Sequence, residues 1–191
     1  ISKTSAFLDY SYQVTEGNSV TSGSFYFNAL TGEEEEKRIV PLNWDQRHVM
    51  SAALTISEPG QWGLSLIGKL AHGWPHTPNI PFANYVPNPN SARKPWQNNV
   101  NVRVHKNLNF GRISVILFMK IYNLFDTRNE RYVFDDTGRA GYTFVNRSSQ
   151  ETEAFKDHYG EPGVHTWEEY QVRPYYYSSP RSVQAGFSVD F

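Results

Sequence analysis

Six stretches of the chain alternate apolar and polar residues with a period of two, the pattern of strands with one apolar and one wet face. Ser5 to Thr15 sets Ala6, Leu8, Tyr10, Tyr12 and Val14 against Asp9, Ser11, Gln13 and Thr15. Arg47 to Ser57 places His48, Met50, Ala52, Leu54 and Ile56 on one face, and Trp62 to Ala71 does the same with Trp62, Leu64, Leu66, Gly68 and Leu70. Asn99 to Leu108 opposes Val100, Val102, Val104 and Leu108 to Asn101, Arg103, His105 and Asn107. Arg112 to Asn123 aligns Ile113, Val115, Leu117, Met119 and Ile121, and Arg181 to Phe191 aligns Val183, Ala185, Phe187, Val189 and Phe191. The pattern predicts an all-β chain in which these apolar sets share one face of an antiparallel up-and-down meander.

The connections carry a second pattern. Glu58-Pro59-Gly60-Gln61 and Asn109-Phe110-Gly111 have the chemistry of tight turns, because proline presets one dihedral and glycine accepts a positive one. Glu16 to Asp45, His72 to about Trp96, and Leu124 to about Pro180 show no sustained period and read as long loops. Pro75, Pro78, Pro81 and Pro87 exclude regular structure from the second. In the third, Tyr132 to Phe134 and Tyr142 to Phe144 flank Asp135-Asp136-Thr137-Gly138 and are expected to form a small hairpin. Long and short connections therefore alternate, which puts every long one on one side of the sheet.

Composition sharpens this picture. Aromatics reach 15% of the 191 residues, yet mean hydropathy is −0.58. Strands that cross a membrane reconcile the two, since every second residue meets lipid and the others face a wet lumen. Strands of ~9–11 residues, short turns on one side and long loops on the other fit a transmembrane β-barrel. No apolar run approaches the ~20 residues of a spanning helix. A net charge of −1 gives no electrostatic reason to expect nucleic acid. With no cysteine there is neither a disulfide framework nor a thiolate metal site. The opening Ile-Ser-Lys-Thr-Ser has no basic segment followed by an apolar one and reads as an internal start.

Candidate chemistry is sparse. His72 and His76 are spaced as helical metal ligands, but Gly73 and Pro75 oppose a helix there. Glu33 to Glu36 offers carboxylates to a cation, although such runs are ordinarily solvated faces. His165, Glu168 and Glu169 beside Trp167 contain the groups of an acid/base set, with nothing to position them, and no catalytic motif is present. The expectation is therefore no enzyme, no cofactor and no resident metal. Loop aromatics are the better candidates for ligand contact, since rings offer stacking area at low entropy cost. Trp74, Trp96, Trp167 and Tyr175 are chosen on that ground, while Trp62, Tyr122 and Phe125, at strand ends, suit an interfacial girdle.

The final strand, with Gln184, Gly186, Val189 and Phe191 at its polar, glycine, hydrophobic and terminal aromatic positions, resembles the C-terminal assembly signal of outer-membrane barrels. Ile121-Tyr122-Asn123-Leu124-Phe125-Asp126 followed by Pro180-Arg181-Ser182-Val183, together with Trp44-Asp45-Gln46-Arg47-His48, resembles the barrel of TonB-dependent outer-membrane receptors. The resemblance implies the last six strands of a barrel of roughly 22 with a plugged lumen. It implies residence in the outer membrane of a Gram-negative bacterium among lipid and lipopolysaccharide. It also implies insertion by the barrel-assembly machinery, and uptake of a scarce solute such as a siderophore, vitamin or oligosaccharide. Coupling to the TonB complex would run through a TonB box and plug that this stretch lacks. The alternative is a soluble, aromatic-rich β-sheet module that binds carbohydrate or another ligand, which would require a second sheet over the apolar face.

Overall fold

The computed structural model describes residues 3–18, 24–32, 38–80, 87–144 and 173–191. The elements in chain order are β1 (Lys3–Tyr12), β2 (Glu16–Gly17), α1 (Ser24–Thr31), β3 (Val40–Pro41), β4 (His48–Glu58) and β5 (Trp62–Ala71). They continue with β6 (Pro75–His76), β7 (Ala92–Arg93), β8 (Gln97–Phe110), β9 (Ile113–Tyr122), a 3-10 turn (Pro174–Tyr176) and β10 (Ser182–Asp190). The six long strands form one antiparallel sheet in the order β1-β4-β5-β8-β9-β10, an up-and-down meander. The small pairs β2–β3 and β6–β7 belong to the long connections. Among the described residues no helix is long and apolar enough to cross a membrane.

Register settles the faces. Leu8 lies opposite Ala52, Ala52 opposite Gly68, Leu66 opposite Val102, Val104 opposite Met119, and Leu117 opposite Phe187. Directly opposed residues share a face, so the apolar sets of all six strands lie together as the alternation requires. Ser114, opposite Asn109 and Asp190, stands on the other side with Gln184, Asn101 and Arg103. Two strand glycines on this polar side accommodate aromatic rings. A Cβ at Gly63 would stand 2.3 Å from the ring of His105, and one at Gly186 would stand 2.7 Å from that of Phe118, each its cross-strand partner. The glycine of the C-terminal pattern thus leaves space for a ring laid over the backbone.

Several boundaries depart from the sequence reading. β1 ends at Tyr12 because the chain turns where the Thr15 N–H is captured by the Asp45 carboxylate at 3.0 Å. β8 runs through Asn109 and Phe110, leaving Gly111, at φ 67°, and Arg112 as the turn. A helix, α1, stands inside the first long loop and stops at Gly32, whose φ of 71° supplies the left-handed end. The expected hairpin around Asp135 does not form a ladder. Phe134 N–H donates to Arg139 O at 2.9 Å and Gly138 N–H to Phe134 O at 2.8 Å, closing a tight turn instead.

The molecule has almost no apolar interior. Among the described residues the buried apolar ones are Val40, Ala71 and Ala140, none on the apolar face, whereas the fully buried side chain of largest volume is Asp45. On the apolar face Leu8 is 69%, Leu117 44% and Phe187 72% exposed.

Candidate functional site

Buried polar groups gather where the long connections leave the sheet. The Asp45 carboxylate accepts from Thr15 N–H at 3.0 Å, from Arg47 Nε at 3.2 Å and from Arg93. Arg93 also donates to the Asp45 carbonyl, and Arg47 reaches Glu16 at 2.9 Å. Burial alone would raise the Asp45 pKa; the hydrogen bonds from Arg93, Thr15 and Arg47, with the charge of Arg93, outweigh it and hold the carboxyl below its ordinary value. Neighbouring Gln46 donates to His72 O at 2.9 Å. The segment Trp44 to His48 therefore clamps the first long connection to the second.

Asn123 does the same between β9 and β10. Its backbone sits at φ 54°, its N–H donates to Asn101 Oδ1 at 3.0 Å, and its side chain donates to Thr127 O and Ser179 O at 3.1 Å each. Asp126 accepts from Arg181 N–H at 2.7 Å, so the start of β10 is held to the end of β9 across the whole third connection. Glu130, also buried, receives Arg139 through two nitrogens and the Ala140 N–H at 2.6 Å. Sequence reading did not single out Asp45, Asn123 or Glu130 as sites. Asn123 and Asp126 carried a weak signal, as small polar residues that tolerate left-handed backbone.

The residues chosen from sequence scatter. Trp96 lies on the apolar side, stacked on His48 at 6.0 Å and tilted on His72 at 4.9 Å. Tyr12, His48, His72 and Trp96 occupy one cross-strand row, and Tyr10 donates to or accepts from His48 Nδ1 at 2.8 Å. Burial and the nearby cations lower the His72 pKa, favouring a neutral ring. Trp74 is exposed beside the β6–β7 pair, where Lys94 N–H donates to its carbonyl at 2.9 Å. Tyr175 is exposed and packs edge-on against Tyr176. No ring contact joins Trp74, Trp96 and Tyr175 among the described residues. Trp167, the Glu33 to Glu36 run, and His165, Glu168 and Glu169 lie outside those residues.

Trp62 closes the other end of the apolar face, but Tyr122, opposite Ser182, points to the polar side and does not join a girdle with it. His72 and His76 do not converge: His72 joins the ring row, while His76 is buried against Gly138 and has its pKa lowered by that burial. Among the described residues no group of three His, Cys, Asp or Glu is placed to hold a metal.

One cavity opens among the braced loops. It has a volume of about 530 Å³ and is lined by Asp126, Arg128, Gly141, Arg173, Tyr177 and Ser178, with Pro174 and Pro180 at its wall. Glu130 bridges to Tyr177 beneath it. No family model matches the chain, and no curated protein or solved structure matches it.

Proposed function

We propose that this chain is a segment of a transmembrane β-barrel of the outer membrane, of the TonB-dependent receptor type, contributing to energy-coupled uptake of a scarce solute. The observation that carries the membrane reading is the bare apolar face bounded by rings. From Trp62 to His72 is ten residues along one strand, or about 33 Å at ~3.3 Å per residue. A tilt of ~35–45° reduces that to about 23–27 Å, the height of the lipid-facing band of such barrels. A soluble domain of this length would bury that face against another layer, and no described element packs across it. The receptor type rests on the two sequence segments, whose residues here clamp the strand ends.

Single-tryptophan forms of the membrane-embedded protein test the reading. With lipids brominated near the headgroup, Trp62 and Trp96 are expected to be quenched strongly, and with lipids brominated near the acyl end a tryptophan replacing Leu117 is quenched instead. Equal, weak quenching of all three by both lipids would remove the membrane reading.

A charge scan gives a second expected outcome. Leu117→Arg should destabilise the barrel by about 2–4 kcal/mol near the midplane, whereas Ser188→Arg, on the polar face, should change it by about 0.5 kcal/mol or less. Urea titration in detergent measures both, and equal costs would mean that the two faces meet the same solvent.

A further inference from the structure

We propose that the cavity between the third long connection and the lead into β10 binds a small organic carboxylate. Its volume of about 530 Å³ lies within the ~300–1,000 Å³ typical of small-molecule sites. Its charge is one-sided. Arg128 and Arg173 both line it, against the single carboxylate of Asp126, one oxygen of which already holds the Arg181 N–H.

Arg128 is the focus. Its guanidinium is exposed and makes no ion pair or hydrogen bond, yet the backbone on either side is pinned. Thr127 N–H donates to Asn123 Oδ1 at 2.9 Å, Thr127 Oγ1 to Asn98 Oδ1 at 3.0 Å, and Asn129 N–H to Ser178 Oγ at 3.2 Å. A cation presented from a fixed backbone loses little freedom when an anion arrives. Arg173 is oriented by other means. It donates to Tyr176 Oη at 2.8 Å and lies over the rings of Phe134, at 4.7 Å, and Tyr176, at 5.2 Å. A planar guanidinium held by stacking retains N–H donors in a fork that matches a carboxylate.

The remaining wall selects the body of the ligand. Pro174, Pro180 and Tyr177 give apolar, flat surface, and Gly141 keeps the space open, since a Cβ there would stand 3.4 Å from Tyr177 Oη. An anion carried on a flat organic frame uses both features, whereas inorganic phosphate uses only the charge. The inference stands on the cavity's own residues and holds whether or not the sheet crosses a membrane.

Titration calorimetry on the full protein in detergent, with benzoate as probe and benzamide and inorganic phosphate as comparisons, tests it. Benzoate should bind saturably, with benzamide and phosphate each at least tenfold weaker. Arg128→Gln and Gly141→Val, both retaining the native circular dichroism spectrum, should each weaken benzoate by tenfold or more. Arg112→Gln, at the opposite turn, should leave it unchanged. Absence of saturable benzoate binding, equal binding of benzamide or phosphate, or unchanged affinity in folded Arg128→Gln would each overturn the proposal. If Arg128→Gln does not fold, Arg128→Lys serves in its place. That change keeps the charge and removes the fork, and unchanged benzoate affinity there overturns the proposal equally.

Discussion

In plain buffer the isolated chain is expected to aggregate, and to become monodisperse only in detergent. The outer edges of β1 and β10 each leave a row of backbone donors and acceptors unpaired in the six-stranded sheet. In water such edges recruit other chains, and in the bilayer core they have no partner at all. Six strands are also short of the ~8 found in the smallest closed single-chain barrels of the outer membrane. The apolar face adds to this, because Leu8, Leu117 and Phe187 remain open to solvent. An exposed apolar area of this kind marks either an interaction surface or a liability. Size-exclusion chromatography and circular dichroism measure the outcome. A sharp monomer peak without detergent, with cooperative thermal unfolding, would defeat the barrel reading and favour the soluble binding module.

Replacing Asp45 should release the first two long connections while leaving the sheet paired. Asp45→Ala removes the acceptor for Arg93, Arg47 and Thr15 N–H at once. Breaking a buried charge pair in this way costs about 3–5 kcal/mol, and the low end applies because both arginines keep some contact with water. The strands do not depend on Asp45 for their ladders, so the loss should appear as faster amide exchange at β2–β3 and β6–β7. Unchanged exchange there in Asp45→Ala would show that Asp45 does not clamp them. The sign of the pH effect follows from the depressed pKa of Asp45. Its contribution is fully present above the unfolded value of about 3.9 and is lost as pH falls through the lower folded value. Loop protection should therefore be level between about pH 5 and 8 by this linkage and fall only in strong acid. Asp45→Asn keeps one acceptor oxygen but cannot titrate, and should lose the acid step.

The fold was legible where one rule dominates. A period of two places every other residue on one face, and the register confirms that placement in all six strands, from Leu8 to Phe187. Pro59 and Gly60 marked a turn for a reason local to the chain, and Gly60 does adopt φ 74°. The expected hairpin at Asp135 failed because the same residues close a tighter turn around Phe134 and Arg139, where no partner strand competes. The helix Ser24–Thr31 escaped notice because its residues lack the spacing that marks an amphipathic face.

The candidate sites were less legible. Trp96 and Tyr175 were chosen for ring chemistry and loop position, which the sequence alone supplies, but their neighbours depend on long-range pairing. Trp96 meets His48 and His72 because β4, β5 and β8 bring three distant residues into one row. Arg93 reaches Asp45 across 48 positions, and Ser178 reaches Asn129 across 49. By itself, the sequence determined the alternating faces, the meander and the side on which the long connections lie, since each follows from local stereochemistry. Only the tertiary structure decided that Asp45 and Asn123 are clamps, that Tyr122 faces away from Trp62, and that Arg128 and Arg173 share a cavity. The reason is that side chains in loops acquire their neighbours from strand register and chain closure, which have no short-range signature in the sequence.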